Sequence, residues 1–458
     1  MTETVPLPTT EDLDVRPRRG WKPYPGYKES EVEWFTEIPA HWAVKRLKYA
    51  SYINPESLPE TTPADREFRY LDISNVDSNG HLVSSEPMVF RDAPTRARRI
   101  VRRGDTILST VRTYLKAIAY IDTECDDLIV STGFAVLRPR SSLDAAFQSY
   151  VVRSEPFVQA VMSHSEGVGY PAIAPSELGC LPIWLPSLPE QRAIAAFLDR
   201  ETAKIDALVV RKQRLIDLLH EKRSALITRA VTKGLDPTVP MKENGILWLG
   251  EIPAHWEVRR LKFAAKLDSG HTPSRSVPEY WEDCTIPWVS LNDVGHLEDT
   301  LRVHDTANLI SELGLQNSSA RMLPEGTVIL SRDATVGRAA ILGRPMATSQ
   351  HFVNWTCRPE LMPEYLLRAF RGPMQQEFQR LVMGSTLSTI GMPDVNSFRV
   401  PLPPVREQEQ IVSVVRKECG RIDALIAQIE RAIDRLREYR IALISAAVTG
   451  KIDVRGEA

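Results

Sequence analysis

Basic side chains cluster at one point of this 458-residue chain in a pattern suited to nucleic acid. The segment RARRIVRRG places five arginines within eight residues: Arg96, Arg98, Arg99, Arg102 and Arg103. A guanidinium can donate two parallel hydrogen bonds to a phosphate or to guanine. We therefore predict that this cluster contacts DNA. The alternative is a solvated loop whose arginines pair with acidic neighbours.

Segments rich in Ser, Thr and Gly supply further candidates, because hydroxyls and backbone N–H groups reach phosphates and base edges. In the second half of the chain these segments are SRDATVGR and GSTLST, with the candidate residues Arg332, Thr335, Arg338, Ser385, Thr386 and Ser388. Their counterparts in the first half are Ser109, Thr110, Arg112, Lys116, Gly167 and Tyr170. Ordinary turns are the alternative interpretation.

The motifs of common catalytic sites are absent from the sequence. It contains no GxxxxGK[ST] phosphate loop, no GxGxxG after a strand and no HExxH. It also lacks the Asn/Asp-Pro-Pro-aromatic tetrapeptide of amino-methyltransferases. His41 and His255 recur in a repeated EIPAHW, where we interpret them as structural anchors beside Trp42 and Trp256. We predict no catalytic residue, no metal ligand and no cofactor-binding residue in this chain.

Composition sets outer bounds on the fold. Hydrophobic residues make up 43% and charged residues 25% of the chain, as in ordinary globular proteins. The net charge is −2, so a DNA-binding surface must be a local basic face. The five cysteines are scattered and form no CxxC, which favours a reducing cytoplasm over a disulfide framework. The sequence contains no run of 18 apolar residues, so we predict no membrane span.

Two long helices are predicted, at 186–234 and 403–458. From Glu190 to Thr232, 20 of 43 positions are identical to those 217 residues later. Apolar residues recur at alternating three- and four-residue steps, from Ile194 and Leu198 to Leu215 and Leu226, which is the period of a coiled-coil seam. Each seam requires a partner helix, and the other copy in the same chain is the simplest partner.

A second repeat precedes each helix. From Trp34 to Tyr49, 11 of 16 positions match those 214 residues later, and EIPAHW is common to both. Between this tag and the helix lie two inserts, 51–180 and 265–397, which resemble each other only in patches. Short β-rich runs alternate with loops in both inserts, so each is predicted to be a compact α/β domain. The expected organisation is a flexible tail (1–26), a first domain (27–185), a helix (186–234), a second domain (235–402) and a helix (403–458).

These combined motifs resemble the specificity subunits of type I restriction-modification enzymes. The residues that carry the resemblance are EIPAHW-x-V at 37–44 and 251–258, the PxLPEQ or PLP segments before the helices (Pro186–Gln191 and Pro401–Gln408), the IDAL segments, and the AVTKG and AVTG endings. The resemblance covers about residues 27–458. It implies two α/β target recognition domains held apart by two antiparallel coiled-coil helices in a pseudo-twofold internal repeat.

The resemblance also implies a function. Each domain would read one half of a split double-stranded DNA target. The chain would bind two methyltransferase subunits, which use S-adenosylmethionine to methylate adenine, and a motor-nuclease restriction subunit in the full complex. The chain itself would be non-catalytic. Two alternatives are a fused restriction-methyltransferase fragment, which the missing motifs oppose, and a coiled-coil adaptor without DNA contact, which the α/β inserts and arginines oppose.

Overall fold

The computed structural model describes residues 21–32, 35–77, 80–167, 169–246, 248–383 and 388–456. The chain forms two compact units. Unit 1 extends to Lys212 and resumes at Glu430, and unit 2 consists of Gln213–Ile429. Each unit therefore combines one insert with part of both long helices. None of the described helices is both long and apolar enough to cross a membrane.

Unit 1 is built from short strands and helices that precede the first long helix. The strands are β1 (Tyr27–Val32), β2 (Phe35–Pro39), β3 (Ala43–Arg46), β4 (Ser51–Ile53), β5 (Glu67–Leu71), β6 (Glu86–Val89), β7 (Ala97–Ile100), β8 (Thr106–Ser109), β9 (Ile118–Tyr120), β10 (Leu128–Ser131), β11 (Phe134–Pro139) and β12 (Pro182–Leu185). The helices are α1 (Leu47–Ala50), α2 (Ala145–Arg153), α3 (Glu155–Ser163), α4 (Pro175–Leu178) and the long α5 (Leu188–Lys233).

Two four-stranded sheets form the domain of unit 1, in the orders β4-β11-β8-β9 and β6-β5-β10-β7. β11 pairs antiparallel with β8, and Phe134 lies opposite Ser109. β10 pairs parallel with β5, which requires the chain to cross over between them. The strands β8, β10 and β11 are buried along most of their length, so side chains at their ends mark where the domain surface begins.

Unit 2 repeats this plan. Its strands are β13 (Met241–Lys242), β14 (Ile252–Pro253), β15 (Glu257–Arg260), β16 (Ala265–Ser269), β17 (Ile286–Val289), β18 (Arg302–Val303), β19 (Asn308–Ile310), β20 (Val328–Ser331), β21 (Ala339–Leu342), β22 (Ala347–Thr348), β23 (Phe352–Cys357) and β24 (Arg399–Leu402). Its helices are α6 (Leu261–Ala264), α7 (His296–Asp299), α8 (Glu312–Gln316), α9 (Pro363–Arg371), α10 (Met374–Leu381), α11 (Met392–Ser397) and the long α12 (Val405–Val448).

Most strands of the two main sheets in one unit have a counterpart in the other. The order β16-β23-β20-β21 in unit 2 corresponds to β4-β11-β8-β9 in unit 1, and β18 extends it. The parallel pair β17·β22 corresponds to β5·β10. Phe352 lies opposite Ser331 as Phe134 lies opposite Ser109. The two inserts therefore share one fold although their sequences match only in patches.

The long helices are antiparallel in each unit. In unit 1, Ile194, Leu198 and Ile205 of α5 share a core with Leu443 and Ile444 of α12. In unit 2, the later α5 residues Ile227, Ala230 and Val231 share a core with the earlier α12 residues Ile411, Val412 and Val415. With 46 and 44 residues, at about 1.5 Å each, the helices are rods of about 65–70 Å. The predicted fold class is confirmed.

The predicted seam is wrong in the middle of both helices. Leu208 and Leu215 of α5 and Leu425 of α12 are 44%, 46% and 48% exposed. The buried isoleucines instead recur every eleven residues, at Ile205, Ile216 and Ile227 in α5 and at Ile422, Ile433 and Ile444 in α12. Seven residues fall about 20° short of two helical turns, and eleven residues pass three turns by about 20°, so the two spacings drift in opposite directions around the helix.

In each unit, the repeated EIPAHW tag meets the ends of the two long helices in one junction. A glutamine at the start of one helix also belongs to it. In unit 1, the Glu190 carboxylate at the start of α5 accepts a hydrogen bond from Trp42 Nε1 at 3.1 Å and lies 3.0 Å from His41 Nε2. At the end of α12, a side chain at Gly450 would collide with Pro39. The tag thus contacts the start of one long helix and the end of the other. The prediction that His41 is a structural anchor is confirmed.

Unit 2 builds the same junction. His255 Nε2 lies 2.9 Å from the Glu407 carboxylate at the start of α12. Gly234, at the end of α5, has a positive φ of 71° and faces Trp256 and Pro253. A side chain is strained at such a φ, which explains why this helix ends on glycine. In both units a buried glutamine, Gln191 or Gln408, hydrogen-bonds the neighbouring backbone and fixes the helix start.

The predicted flexible tail is wrong for residues 21–26. Trp21 packs edge-on against Phe197 with ring centroids 4.8 Å apart, and Tyr24 is 3% exposed beside Trp42. Lys22 forms a bridge with Asp453. Aromatic side chains thus bind this segment to the core of unit 1. Residues 1–20 of the predicted tail lie outside the described residues.

Candidate nucleic-acid interface

A loop pair in unit 1 brings several predicted contact residues together. The first loop follows β8 and contains Thr110–Ala117, and the second consists of residues 166–167 and 169–172, where Glu166 bridges to Ala172. Ala172 bridges to both Val111 and Glu166, and the Arg112 N–H donates to the Pro171 carbonyl at 2.8 Å. Segments more than fifty residues apart in the sequence therefore form one surface, which we call the first loop pair.

Arg112 and Tyr170 lie at the centre of the first loop pair. The Arg112 guanidinium carbon is 4.5 Å from the centroid of the Tyr170 ring, and the ring is 66% exposed. Arg112 adopts the left-handed conformation with a φ of 51°, which is unusual for a residue with a side chain. Gly167 also has a positive φ, of 116°. A cation stacked on an exposed aromatic ring can contact both a phosphate and a base face.

Other predicted residues of this surface have structural partners. Ser109 and Thr110 are 3% and 8% exposed, and their hydroxyls donate to the carbonyls of Val111 and Gly133. Lys116 Nζ lies 2.9 Å from the Glu155 carboxylate. The hydroxyls thus shape the loop rather than reach its surface. The exposed side chains Tyr114 and Leu115, 48% and 43% exposed, were missed because no sequence signal distinguishes them from core residues.

The arginine cluster begins just before β7 and continues beyond it, and carboxylates contact three of its five charged ends. Arg96 pairs with Asp72, Arg102 with Glu56 at 2.6 Å, and Arg103 with Glu124 at 3.3 Å. Arg98 lies over the Phe90 ring. Arg99 donates to Ser57, and burial lowers its pKa. The acidic partners, far away in sequence, neutralise much of this basic segment.

A second loop pair occurs in unit 2 at the equivalent place. Its loops are Arg332–Arg338, which follows β20, and the hairpin segment around Thr389. Thr389 bridges to both Asp333 and Met383, as Ala172 bridges to Val111 and Glu166 in unit 1. The Ala334 N–H donates to the Ser388 carbonyl at 2.8 Å. The predicted residues Ser385 and Thr386 lie outside the described residues.

The second loop pair presents polar side chains, whereas the first loop pair carries the exposed Tyr170 ring. Arg332 donates to the carbonyls of Gln350 and Ile390, and Arg338 pairs with Glu298. Thr335 is exposed. Gln350 and His351 directly precede β23. They also lie at this surface and were not predicted. Within the described part of the chain no group of His, Cys, Asp or Glu could hold a metal ion.

Comparison with known proteins identifies the family. The model of the type I restriction modification DNA specificity domain matches residues 78–215 and 253–435, which is more than half of the chain. The chain belongs to this family. The predicted resemblance is therefore confirmed, and the chain is a type I specificity subunit with two DNA-recognition domains, one carrying each loop pair.

Individual specificity subunits show how far the likeness extends. The chain is 20% identical to the HindI specificity subunit of Haemophilus influenzae over 89% of this chain and 96% of that subunit. It is 24% identical to the EcoKI specificity subunit of Escherichia coli over 70% of this chain and 69% of that one. It is 30% identical to the MjaIX specificity subunit of Methanocaldococcus jannaschii, but over only 38% of that subunit.

Solved structures share the fold. A chain from a structure that describes complex assembly and conformational transition of a type I R-M system matches with a TM-score of 0.66 and 25% identity. The match covers 91% of this chain and 99% of that chain. The HsdS subunit of Thermoanaerobacter tengcongensis matches with a TM-score of 0.55 and 24% identity, over 91% of this chain and 98% of that chain.

Proposed function

We propose that this specificity subunit reads a bipartite double-stranded DNA target, with one half-site for each loop pair. The observation that carries the proposal is that both units build the same loop pair on the same sheet, whereas the side chains presented there differ. Ala334 stands in unit 2 where Arg112 stands in unit 1, and Asp333 and Thr389 stand where unit 1 has Val111 and Ala172. One scaffold with two different surfaces is what recognition of two unlike half-sites requires.

Phosphate contacts give affinity and base contacts give sequence preference. We assign Arg112, the predicted basic residue that is exposed at the first loop pair, to such contacts. Ser109, Thr110, Gly167 and Ser388 act through the loop backbone that they shape. The arginine cluster would contribute long-range attraction rather than direct contact, because its acidic partners already hold Arg96, Arg102 and Arg103.

The proposal includes partner subunits. The chain would be non-catalytic and would recruit methyltransferase subunits, which bind S-adenosylmethionine and methylate adenine at N6, together with a restriction subunit in the full complex. The outward faces of the long helices support this. Leu208 and Leu425 are equivalent at the 217-residue offset and both are exposed, as are the pairs Arg214 and Arg431, and Glu221 and Glu438. An identical exposed surface on each helix suits two copies of one partner.

Exchange of one insert tests the two-reader proposal. Residues 51–180 are replaced by the corresponding insert of a relative with a known target, and the chain is expressed with its methyltransferase in a host that lacks other methylases. Methylated sites are then mapped across the genome. We expect one half of the target to change to that of the donor and the other half to stay the same. A reciprocal exchange of 265–397 is the matched control. If either exchange changes both halves, the domains are not independent readers.

A further inference from the structure

A chain of polar side chains runs from the second loop pair through an exposed glutamine to a threonine. The Asp333 carboxylate is 7% exposed and accepts a hydrogen bond from the Thr389 hydroxyl. It also lies 3.2 Å from His351 Nδ1. His351 Nε2 is 3.2 Å from Gln350 Nε2, and the Gln350 carbonyl oxygen Oε1 contacts the hydroxyl of Thr272. We call Asp333, His351, Gln350 and Thr272 the polar chain.

The buried end of the polar chain sets the direction of its hydrogen bonds. A carboxylate oxygen accepts, so the tautomer of His351 that fits both contacts carries its proton on Nδ1, facing Asp333. The other ring nitrogen, Nε2, then accepts one N–H of the Gln350 amide. At the far end, the Thr272 hydroxyl donates to Gln350 Oε1. The orientation of the Gln350 amide is therefore fixed from both sides.

The Gln350 amide keeps unused hydrogen-bonding capacity. A glutamine amide has two N–H donors and two acceptor lone pairs. The polar chain uses one donor and one lone pair, which leaves one N–H and one lone pair on an exposed side chain. An adjacent donor and acceptor match the N7 acceptor and N6 donor that adenine presents in the major groove. An amide that is already oriented loses less freedom on binding than a mobile one.

Unit 1 lacks this arrangement. The segment that corresponds to Gln350 and His351 is Thr132 and Gly133, next to Phe134, which is the counterpart of Phe352. Gly133 has no side chain that could take the place of His351. The polar chain is thus a property of unit 2 alone.

We propose that Gln350 reads an adenine in the half-site bound by unit 2, with Asp333, His351 and Thr272 as positioning residues. The inference rests on the proposed function, because it assigns one base contact within the reader that function describes. It concerns a single position of one half-site, so it can fail while the two-reader proposal stands.

The test uses the full chain in complex with its methyltransferase. Binding is measured to duplexes in which each base of the unit 2 half-site is varied in turn. For Gln350→Met, which keeps the side-chain length but removes the amide, we expect the preference for adenine at one position to fall by about 5- to 150-fold. This corresponds to about 1–3 kcal/mol at about 1.4 kcal/mol per tenfold change. Preferences in the other half-site should not change. Gln410→Met, at an exposed glutamine of α12, is the matched control.

Two further variants separate base reading from a structural effect. Gln350→Glu keeps the acceptor and loses the donor, so it should shift the preference at that position towards cytosine, whose N4 is a donor. His351→Ala should weaken discrimination in the wild-type background but have no further effect when combined with Gln350→Met. Unchanged base preference in both Gln350 variants would overturn the inference and leave the two-reader proposal intact. If the wild-type complex shows no base preference in this half-site, both proposals fall.

Discussion

Arg440 Nε lies 3.0 Å from the Asp206 carboxylate and joins the end of α12 to the beginning of α5 within unit 1. The equivalent residues at the 217-residue offset are Arg223 and Asp423, which form an ion pair at 3.2 Å within unit 2. In both pairs the two residue numbers have the same sum, 646, so one antiparallel register holds in both units. The internal repeat thus supplies each helix with both the acid and the base that its partner requires.

The two ion pairs should differ in strength. The Arg440 side chain is 15% exposed and that of Arg223 39% exposed, so solvent screens the second pair more. In double-mutant cycles with alanine, we expect a coupling free energy of about 0.5–1 kcal/mol for Asp206–Arg440 and under about 0.5 kcal/mol for Arg223–Asp423. Urea unfolding of the full chain provides the measurement. Equal coupling free energies in the two cycles would contradict the argument that burial strengthens the Asp206–Arg440 ion pair.

Glu190 should stabilise unit 1 more than Glu407 stabilises unit 2. Glu190 is 5% exposed and accepts hydrogen bonds from His41 and Trp42, whereas the Glu407 side chain is 24% exposed and pairs with His255. Glu190→Ala leaves the Trp42 donor buried without a partner, which costs about 1–3 kcal/mol of unfolding free energy. Glu190→Gln, whose amide oxygen can still accept, should recover part of this. Glu407→Ala is the matched control, and an equal or larger loss there would refute the argument.

Arg112 should contribute to the salt dependence of DNA binding. Within the described part of the chain it makes no ion pair, and it lies at the exposed Tyr170 ring. If Arg112 contacts a phosphate, Arg112→Ala lowers the slope of log K against log salt by about 0.9. Arg103→Ala should change the slope much less, because Glu124 already pairs with Arg103. Binding is measured between about 50 and 200 mM salt. A larger change of slope for Arg103→Ala than for Arg112→Ala would indicate that the arginine cluster contacts DNA.

The repeated exposed leucines should govern partner stoichiometry. Leu208→Arg and Leu425→Arg each place a charge on one of two equivalent surfaces. We expect the wild-type chain to bind two methyltransferase subunits, each single variant to bind one, and the double variant to bind none. Mass measurement of purified complexes gives the count. Val83→Arg, at a 69% exposed site away from the helices, is the control. Two subunits on the double variant would place the docking surface elsewhere.

The thiol of Cys357 should make unit 2 less stable at alkaline pH. Burial raises the pKa of Cys357 to about 12, while the unfolded thiol has a pKa of about 8.5. Between these values the unfolded chain loses the proton and the folded chain keeps it. Stability is therefore complete below about pH 8.5 and falls as pH rises, by at most about 1.4 kcal/mol per pH unit. Cys357→Ala should show a shallower decline than the wild type. Cys180→Ala, which removes an exposed thiol, should leave the decline as steep as in the wild type.

Features set by local pattern were readable from the sequence. The long helices follow from a periodic apolar face in both and, in α5, from about forty residues without Pro or Gly, which are properties of neighbouring residues. The repeats identify the tags, the inserts and the antiparallel partner, because a second copy of each is present in the same chain. Motifs that recur together also indicate the family. The fold class and the identity of the chain were therefore determined by the sequence alone.

Tertiary structure decided which side chains are free to act. The arginine cluster looks basic in sequence, yet Asp72, Glu56 and Glu124 come from distant segments to pair with it. Ser109 and Thr110 turn inward at the end of a buried strand. Gln350 acquires its fixed amide only through Thr272 and His351, which the fold brings beside it. Burial and pairing depend on contacts between residues far apart in the chain. The spacing of residues within one segment does not indicate these contacts.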